Sequence, residues 1–235
     1  MSDQDSNRAK SLPIRRTHLD RQTPFSFSCT RCLKCCESKR IQVNAYEIAR
    51  LARNLGISTT DFIAGYTEGE GTFLKFDDNN RCTFLGPEGC RVHADRPLVC
   101  RLYPLGRHLN ELKEEWFSEI EPDPECRGEY GSESTLEIYL DGQQTATYIR
   151  ATDSYLDLLW KMITMLEEGT DEEENAEESE SSSAEEQNML ENGEWIDMDA
   201  AVIRHCRRTG KPFPQEIEDK TQLHQEILNL WINQS

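Results

Sequence analysis

The segment Cys29-Thr-Arg-Cys32-Leu-Lys-Cys35-Cys36 puts four thiols into eight residues, and no other stretch restricts the fold as much. A second, looser set follows at Cys82, Cys90, Cys100 and Cys126. Eight thiols drawn from two stretches read as a metal or iron–sulfur site. A CxxC unit lets two sulfurs meet one metal because the intervening turn curls the chain round it. Cys29, Cys32 and Cys35 match the tight part of a ferredoxin-like run, whose fourth ligand comes from elsewhere. Cys35 and Cys36 are adjacent and their side chains diverge, so they go to different metals or leave one sulfur free to exchange. The second set contains no CxxC unit. Its members depend on the fold to bring them together.

Redox compartment separates metal from disulfide. The first residues, MSDQDSNRAK, lack the apolar core of a secretory signal. No run of about 18 apolar residues would span a membrane. The expectation is a cytoplasmic address, where thiols are kept reduced. Nine cysteines there are better explained by metal than by disulfides. Three ligand arrangements fit: one four-thiolate iron–sulfur cluster with the other thiols structural or redox-active, two closed four-thiolate zinc sites, or mixed ligation with His93 replacing a sulfur. The radical adenosylmethionine spacing CxxxCxxC fails, because Lys39 stands where its last cysteine belongs. Walker, Rossmann and HExxH patterns are absent, and no residue is assigned a catalytic role. Cys206, the ninth thiol, reads as a helix-surface or core residue.

Charge defines the domain boundaries. Of 235 residues, 36% are apolar and 30% charged, so part of the chain must be solvated. The net charge is −18, but residues 167–186 hold eleven acids and no base; without them −7 remains. The acidic balance disfavours nucleic acid as a partner. This gives a flexible arm over 1–24, carrying Arg15, Arg16 and Arg21, then a cysteine-cluster domain with a long helix over 25–166. An acidic disordered linker (167–188) and a helical C-terminal extension (189–235) follow.

Local pattern fills in the elements. Asn44-Ala-Tyr-Glu47 has the form of a capping box opening a helix that stops at Gly56. Thr59 begins a second helix ending near Gly65. Residues 72–76 and 81–85 read as a hairpin, and a helical turn begins near His93. Leu136-Glu-Ile-Tyr-Leu140 alternates like a strand. Tyr148, Tyr155, Leu156, Leu159, Trp160, Ile163 and Leu166 mark the packing face of the long helix. Two further helices are expected over 195–208 and 216–232. The fold class is α+β, with short β-hairpins and helices round the cysteines.

Together CTRCLKCC, CTFLGPEGCRVHADRPLVCRLYP and a late cysteine resemble the CxxCxxCC (YkgJ-like) family of cysteine-cluster proteins, over roughly residues 25–130. The resemblance implies zinc or iron chelation, with ligands at Cys29, Cys32, Cys35, Cys36, Cys82, Cys90, Cys100 and Cys126. The late cysteine of the family is commonly followed by Pro-Gly; here Arg127-Gly128 follows. Flagellin lysine-N-methylases share the cysteine cluster. Arg96, Arg101 and Tyr103 fall in the family's signature, where they either orient the ligand loop and hydrogen-bond sulfurs or hold an anionic substrate. The resulting expectation is a cytoplasmic metal-binding protein carrying an iron–sulfur cluster or zinc, oxidoreductase-like or methylase-like in its enzyme versions. In the alternative version it is a structural zinc module whose C-terminal helices dock a protein partner. No membrane or nucleic acid partner is expected.

Overall fold

A computed structural model describes residues 13–37, 39–110, 112–172 and 192–233. In chain order its elements begin with β1 (Ile14–Leu19), β2 (Pro24–Ser28), α1 (Ala45–Leu55), α2 (Thr59–Tyr66), β3 (Thr67–Glu68) and β4 (Phe73–Leu74). Then come β5 (Leu85–Gly86), β6 (Gly89–Cys90), α3 (Leu98–Leu102), β7 (Leu105–Leu109), β8 (Glu115–Ile120) and β9 (Glu129–Thr135). Among the described residues four more helices follow: α4 (Leu136–Gly142), α5 (Ala146–Glu172), α6 (Met198–Thr209) and α7 (Ile217–Ile232). The class is α+β, and the strand pairs between these elements are antiparallel. No helix among the described residues is long and apolar enough to cross a membrane.

The chain forms two compact units. One comprises Met1–Cys35 with Val99–Thr145, the other Cys36–Leu98 with Ala146–Ser235. The peptide joining Cys35 to Cys36 is therefore a crossing point.

In the first unit β8 lies between β1 and β7, while β2 pairs with β9. Phe25, Leu105, Phe117, Leu136 and Leu140 are fully buried. The segment expected to be an arm is a paired strand from Ile14 onward. Arg15 and Arg16 bind the buried carboxylate of Glu119, and Arg21 binds Glu115 at 2.7 Å. Bases that look solvated in the sequence thus neutralise acids some hundred residues away. Leu136–Gly142 is a helix and not a strand. The Thr135 side chain accepts the Ile138 N–H, and Leu136, Tyr139 and Leu140 are buried at helical spacing while Ile138 is exposed.

The second unit is built round α1. The Asn44 side chain accepts the Glu47 N–H and the Glu47 carboxylate accepts the Asn44 N–H, both at 3.0 Å. Gly56 closes the helix at φ 70°, a left-handed conformation that suits glycine. Tyr46 meets Tyr148 of α5 edge-on at 5.3 Å. The expected hairpin is only partly formed. Phe73–Leu74 pairs with Thr67–Glu68, and just one bridge, Phe76 to Cys82, joins the two segments. The buried face of α5 is Tyr148, Ile149, Ala151, Tyr155, Leu158 and Met162, whereas Trp160 is 62% exposed. α5 continues to Glu172, into the acidic segment; the rest of the expected linker lies outside the described residues. α6 and α7 pack into this unit through Met198, Val202, Leu228 and Trp231. At α2, Thr59 donates its hydroxyl to Asp197 and its N–H to Asp199, tying residues far apart in sequence.

Candidate metal centre

The cysteine loop leaves β2 at Ser28 and ends in a 3-10 turn over Lys34–Cys36. Arg31 (φ 56°) and Leu33 (φ 70°) are left-handed. That alternation turns backbone N–H groups toward sulfur. The Arg31 N–H donates to Cys29 Sγ at 3.4 Å, and the N–H groups of Lys34 and Arg127 are directed at Cys32. At the late cysteine the Gly128 N–H donates to Cys126 Sγ, also at 3.4 Å. In the second unit the Phe84 N–H is directed at Cys82. Four thiols from three separate loops thus each receive the N–H two residues ahead.

Electrostatics differ along the cluster. Burial raises the Cys32 thiol, but the N–H groups of Arg127 and Lys34 and the Cys126 thiol outweigh it and leave the group lowered. At Cys82 burial wins: the thiol is raised, with Cys90 adding to it and the Phe84 N–H and Arg91 opposing. Tyr103, expected in the site, stands beside Cys126 and Tyr130. Burial, with Cys126 next, pushes its hydroxyl up to about 12. Burial and Tyr103 push Tyr130 higher still. Tyr130 Oη is buried without a hydrogen bond of normal geometry; Tyr103 and Cys126 are the polar groups acting on it. Phe27 closes the apolar side, 4.8 Å from Tyr130 and 5.9 Å from Tyr103.

The cysteines are not all gathered at one point. Among the described residues no three His, Cys, Asp or Glu side chains converge as the ligands of one ion would. Within the first unit, Cys32 interacts with both Cys35 and Cys126. Within the second, Cys82 donates its N–H to the Cys36 carbonyl at 3.0 Å, and its thiol senses Cys90. Cys100 sits on α3. The first N–H of that helix, from Leu98, is accepted by buried Glu47 at 2.6 Å. All eight thiols are at least partly accessible and unbridged, while Cys206 is buried against the Pro212 carbonyl.

Both arginines expected in the site donate to backbone carbonyls. Arg101 is buried and donates to the Gln143 carbonyl at 2.9 Å. Arg96 donates to the His93 carbonyl at 2.8 Å, and its guanidinium stands 3.4 Å from His93 Nδ1. Sequence reasoning missed Phe27, Tyr130 and the sulfur-directed N–H groups. Gly128 alone left a trace. A Cβ there would fall 2.3 Å from the Phe27 ring and 3.4 Å from Cys126 Sγ, so the site needs glycine at this position. The donor set fits a thiophilic metal: soft sulfurs, backbone donors that favour thiolate, and a loop shaped to their reach.

Residues 28–123 match the sequence profile of the CxxCxxCC family, whose description reads "Putative zinc- or iron-chelating domain". A curated protein of Methanocaldococcus jannaschii, described as uncharacterized protein MJ0661, is 26% identical over 160 residues, covering 64% of this chain and 76% of that one. No solved structure matches significantly.

Proposed function

We propose that this chain, whose residues 28–123 match the CxxCxxCC family profile, binds zinc or iron through Cys29, Cys32, Cys35, Cys36, Cys82, Cys90, Cys100 and Cys126. The observation that carries the reading is the repeated donation of an N–H to sulfur from two residues ahead, at Cys29, Cys32, Cys82 and Cys126. A neutral thiol is a weak acceptor. A thiolate gains a charge-assisted bond, and the backbone arrangement favours the ionised ligand. Bound zinc would supply a closed structural tetrahedron; bound iron with sulfide would supply a one-electron redox centre. Tyr103 and Tyr130 line the Cys126 side as neutral phenols, and Phe27 limits water there.

Metal and acid-labile sulfide analysis of chain purified without oxygen tests the proposal. Iron with sulfide and absorbance near roughly 400 nm marks an iron–sulfur centre, with the oxidoreductase-like role as its extension. Colourless protein carrying zinc marks the structural version. Chain without metal whose eight thiols all alkylate at the rate of free cysteine, and which takes up neither metal on reconstitution, refutes the reading.

A further inference from the structure

We propose that the doubled cysteine divides its sulfurs between two separate centres: Cys35 with Cys29, Cys32 and Cys126 in the first unit, and Cys36 with Cys82 and Cys90 in the second. The inference rests on the metal-binding reading above. The chain passes from one unit to the other at the Cys35–Cys36 peptide. Both residues lie in a 3-10 turn, where successive side chains point roughly 120° apart. Directing both sulfurs at one ion would work against that turn.

Each half has its own neighbours. On the first side Cys32 lies within interaction range of Cys35 and Cys126, and Tyr103 senses the same two sulfurs. Cys29 is on the same loop, three residues before Cys32, with its sulfur already holding the Arg31 N–H. The Lys34–Glu125 ion pair, 2.6 Å long, fastens this loop to the one that carries Cys126. Four thiols are the number a closed tetrahedral site takes, and since no three of them converge without the ion, their tips must close up on it as it binds. On the second side Glu37 bridges Arg81, and Cys82 donates its N–H to the Cys36 carbonyl. Leu85 pairs with Cys90 in the β5–β6 ladder, and the Leu85 N–H donates to the Cys82 carbonyl at 2.8 Å. Backbone bonds therefore fix Cys36, Cys82 and Cys90 relative to one another inside one unit.

Zinc content of the full-length chain, loaded with zinc ion alone and freed of excess, tests the division. Two equivalents are expected for the unaltered chain and one for each of two paired variants, Cys32→Ser/Cys126→Ser and Cys82→Ser/Cys90→Ser. Alkylation followed by peptide mass mapping should label Cys35 but protect Cys36 in the first variant, and the reverse in the second. The same map places Cys100. A single equivalent in the unaltered chain, loss of all zinc in either folded variant, or joint labelling of Cys35 and Cys36 in both would overturn the division. An unaltered chain that binds no metal defeats the underlying reading instead. Should the paired variants fail to fold by circular dichroism, stepwise chelation of the unaltered chain decides. Two labelling phases that separate Cys35 from Cys36 support the division, and a single phase containing both overturns it.

Discussion

Acidifying the protein from pH 7 to pH 5 should remove about 2 kcal/mol of its stability through one residue, His224. This imidazole is completely buried between α7, α5 and the turn before α6. Its Nε2 faces the Glu194 carbonyl at 2.9 Å, which can only accept, so Nε2 carries the proton. Nδ1 then accepts from the Tyr155 hydroxyl at 2.8 Å. Burial lowers the group from 6.5 to about 4, with the Glu194 carbonyl and Asp197 opposing it only in part. A base lowered in the folded state contributes stability that is fully present above 6.5 and lost as the pH falls toward 4. At about 1.4 kcal/mol per pKa unit, the gap between 6.5 and about 4 corresponds to roughly 3 kcal/mol in all. Integrating the titration gives about 2 kcal/mol of that lost between pH 7 and pH 5. Urea unfolding followed by helical circular dichroism, in the unaltered chain and in His224→Gln, isolates the contribution, because other titrating groups cancel in the difference. Glutamine can still donate to the Glu194 carbonyl and accept from Tyr155, but it does not titrate. Equal pH dependence in the two proteins, or an NMR midpoint for His224 above 6, would refute the reasoning.

Gly128→Ala should lower the thermal transition, with a cost of about 1–3 kcal/mol for overpacking against Phe27, and should perturb Cys126 beside it. An unshifted melting curve would show that the loop yields freely. Thr59→Val strips an acceptor from the Asp199 N–H and a donor from Asp197 in a buried network, so about 1–3 kcal/mol should be lost in urea titration. Glu47→Ala leaves the Asn44 and Leu98 N–H groups without their carboxylate. A loss of about 1–2 kcal/mol is expected, with faster amide exchange at the start of α3. Chelating the metal from purified chain should lower its thermal transition, since ligand-bound metal stabilises only the folded state; an unmoved transition counts against a structural centre.

What was legible in the sequence is what local chemistry decides. The Asn44–Glu47 capping box and the Gly56 stop appear where the residue types put them, because each motif closes within one turn of chain. The α6 and α7 helices follow their apolar period in the same way. Leu136–Leu140 misleads because Leu136, Ile138 and Leu140 alternate while Leu136, Tyr139 and Leu140 also keep helical spacing. Only the Thr135 cap and tertiary burial choose between them. Arg15 and Arg16 look like members of a solvated arm because their partner, Glu119, is invisible until β1 and β8 pair. Trp160 falls on the expected packing face by its approximate helical spacing, yet the buried stripe runs through Tyr155, Leu158 and Met162. The cysteines themselves were plain, and so was the divergence of adjacent Cys35 and Cys36; that the chain passes between its two units at that peptide was not, since it depends on contacts remote in sequence.

The backbone of the ligand loop bears on whether metal belongs there at all. Arg31 and Leu33 adopt left-handed conformations that side-chain-bearing residues avoid, at a cost of roughly 1–2 kcal/mol each. The N–H···S bonds they permit are too weak with neutral thiols to offset such a cost. A thiolate-bound metal contributes on the order of 10 kcal/mol at cysteine-built sites. The same strain is then a small fraction of the binding energy, and the preset turn reduces the ordering that coordination requires. Replacing both residues by glycine should therefore act in opposite directions. The metal-free chain keeps or gains local stability because strain is relieved, whereas zinc affinity falls because the looser loop must be ordered on binding. Equal effects on the two, measured by urea unfolding without metal and by competition with a zinc chelator, would mean that the left-handed turn serves the fold and not the sulfurs.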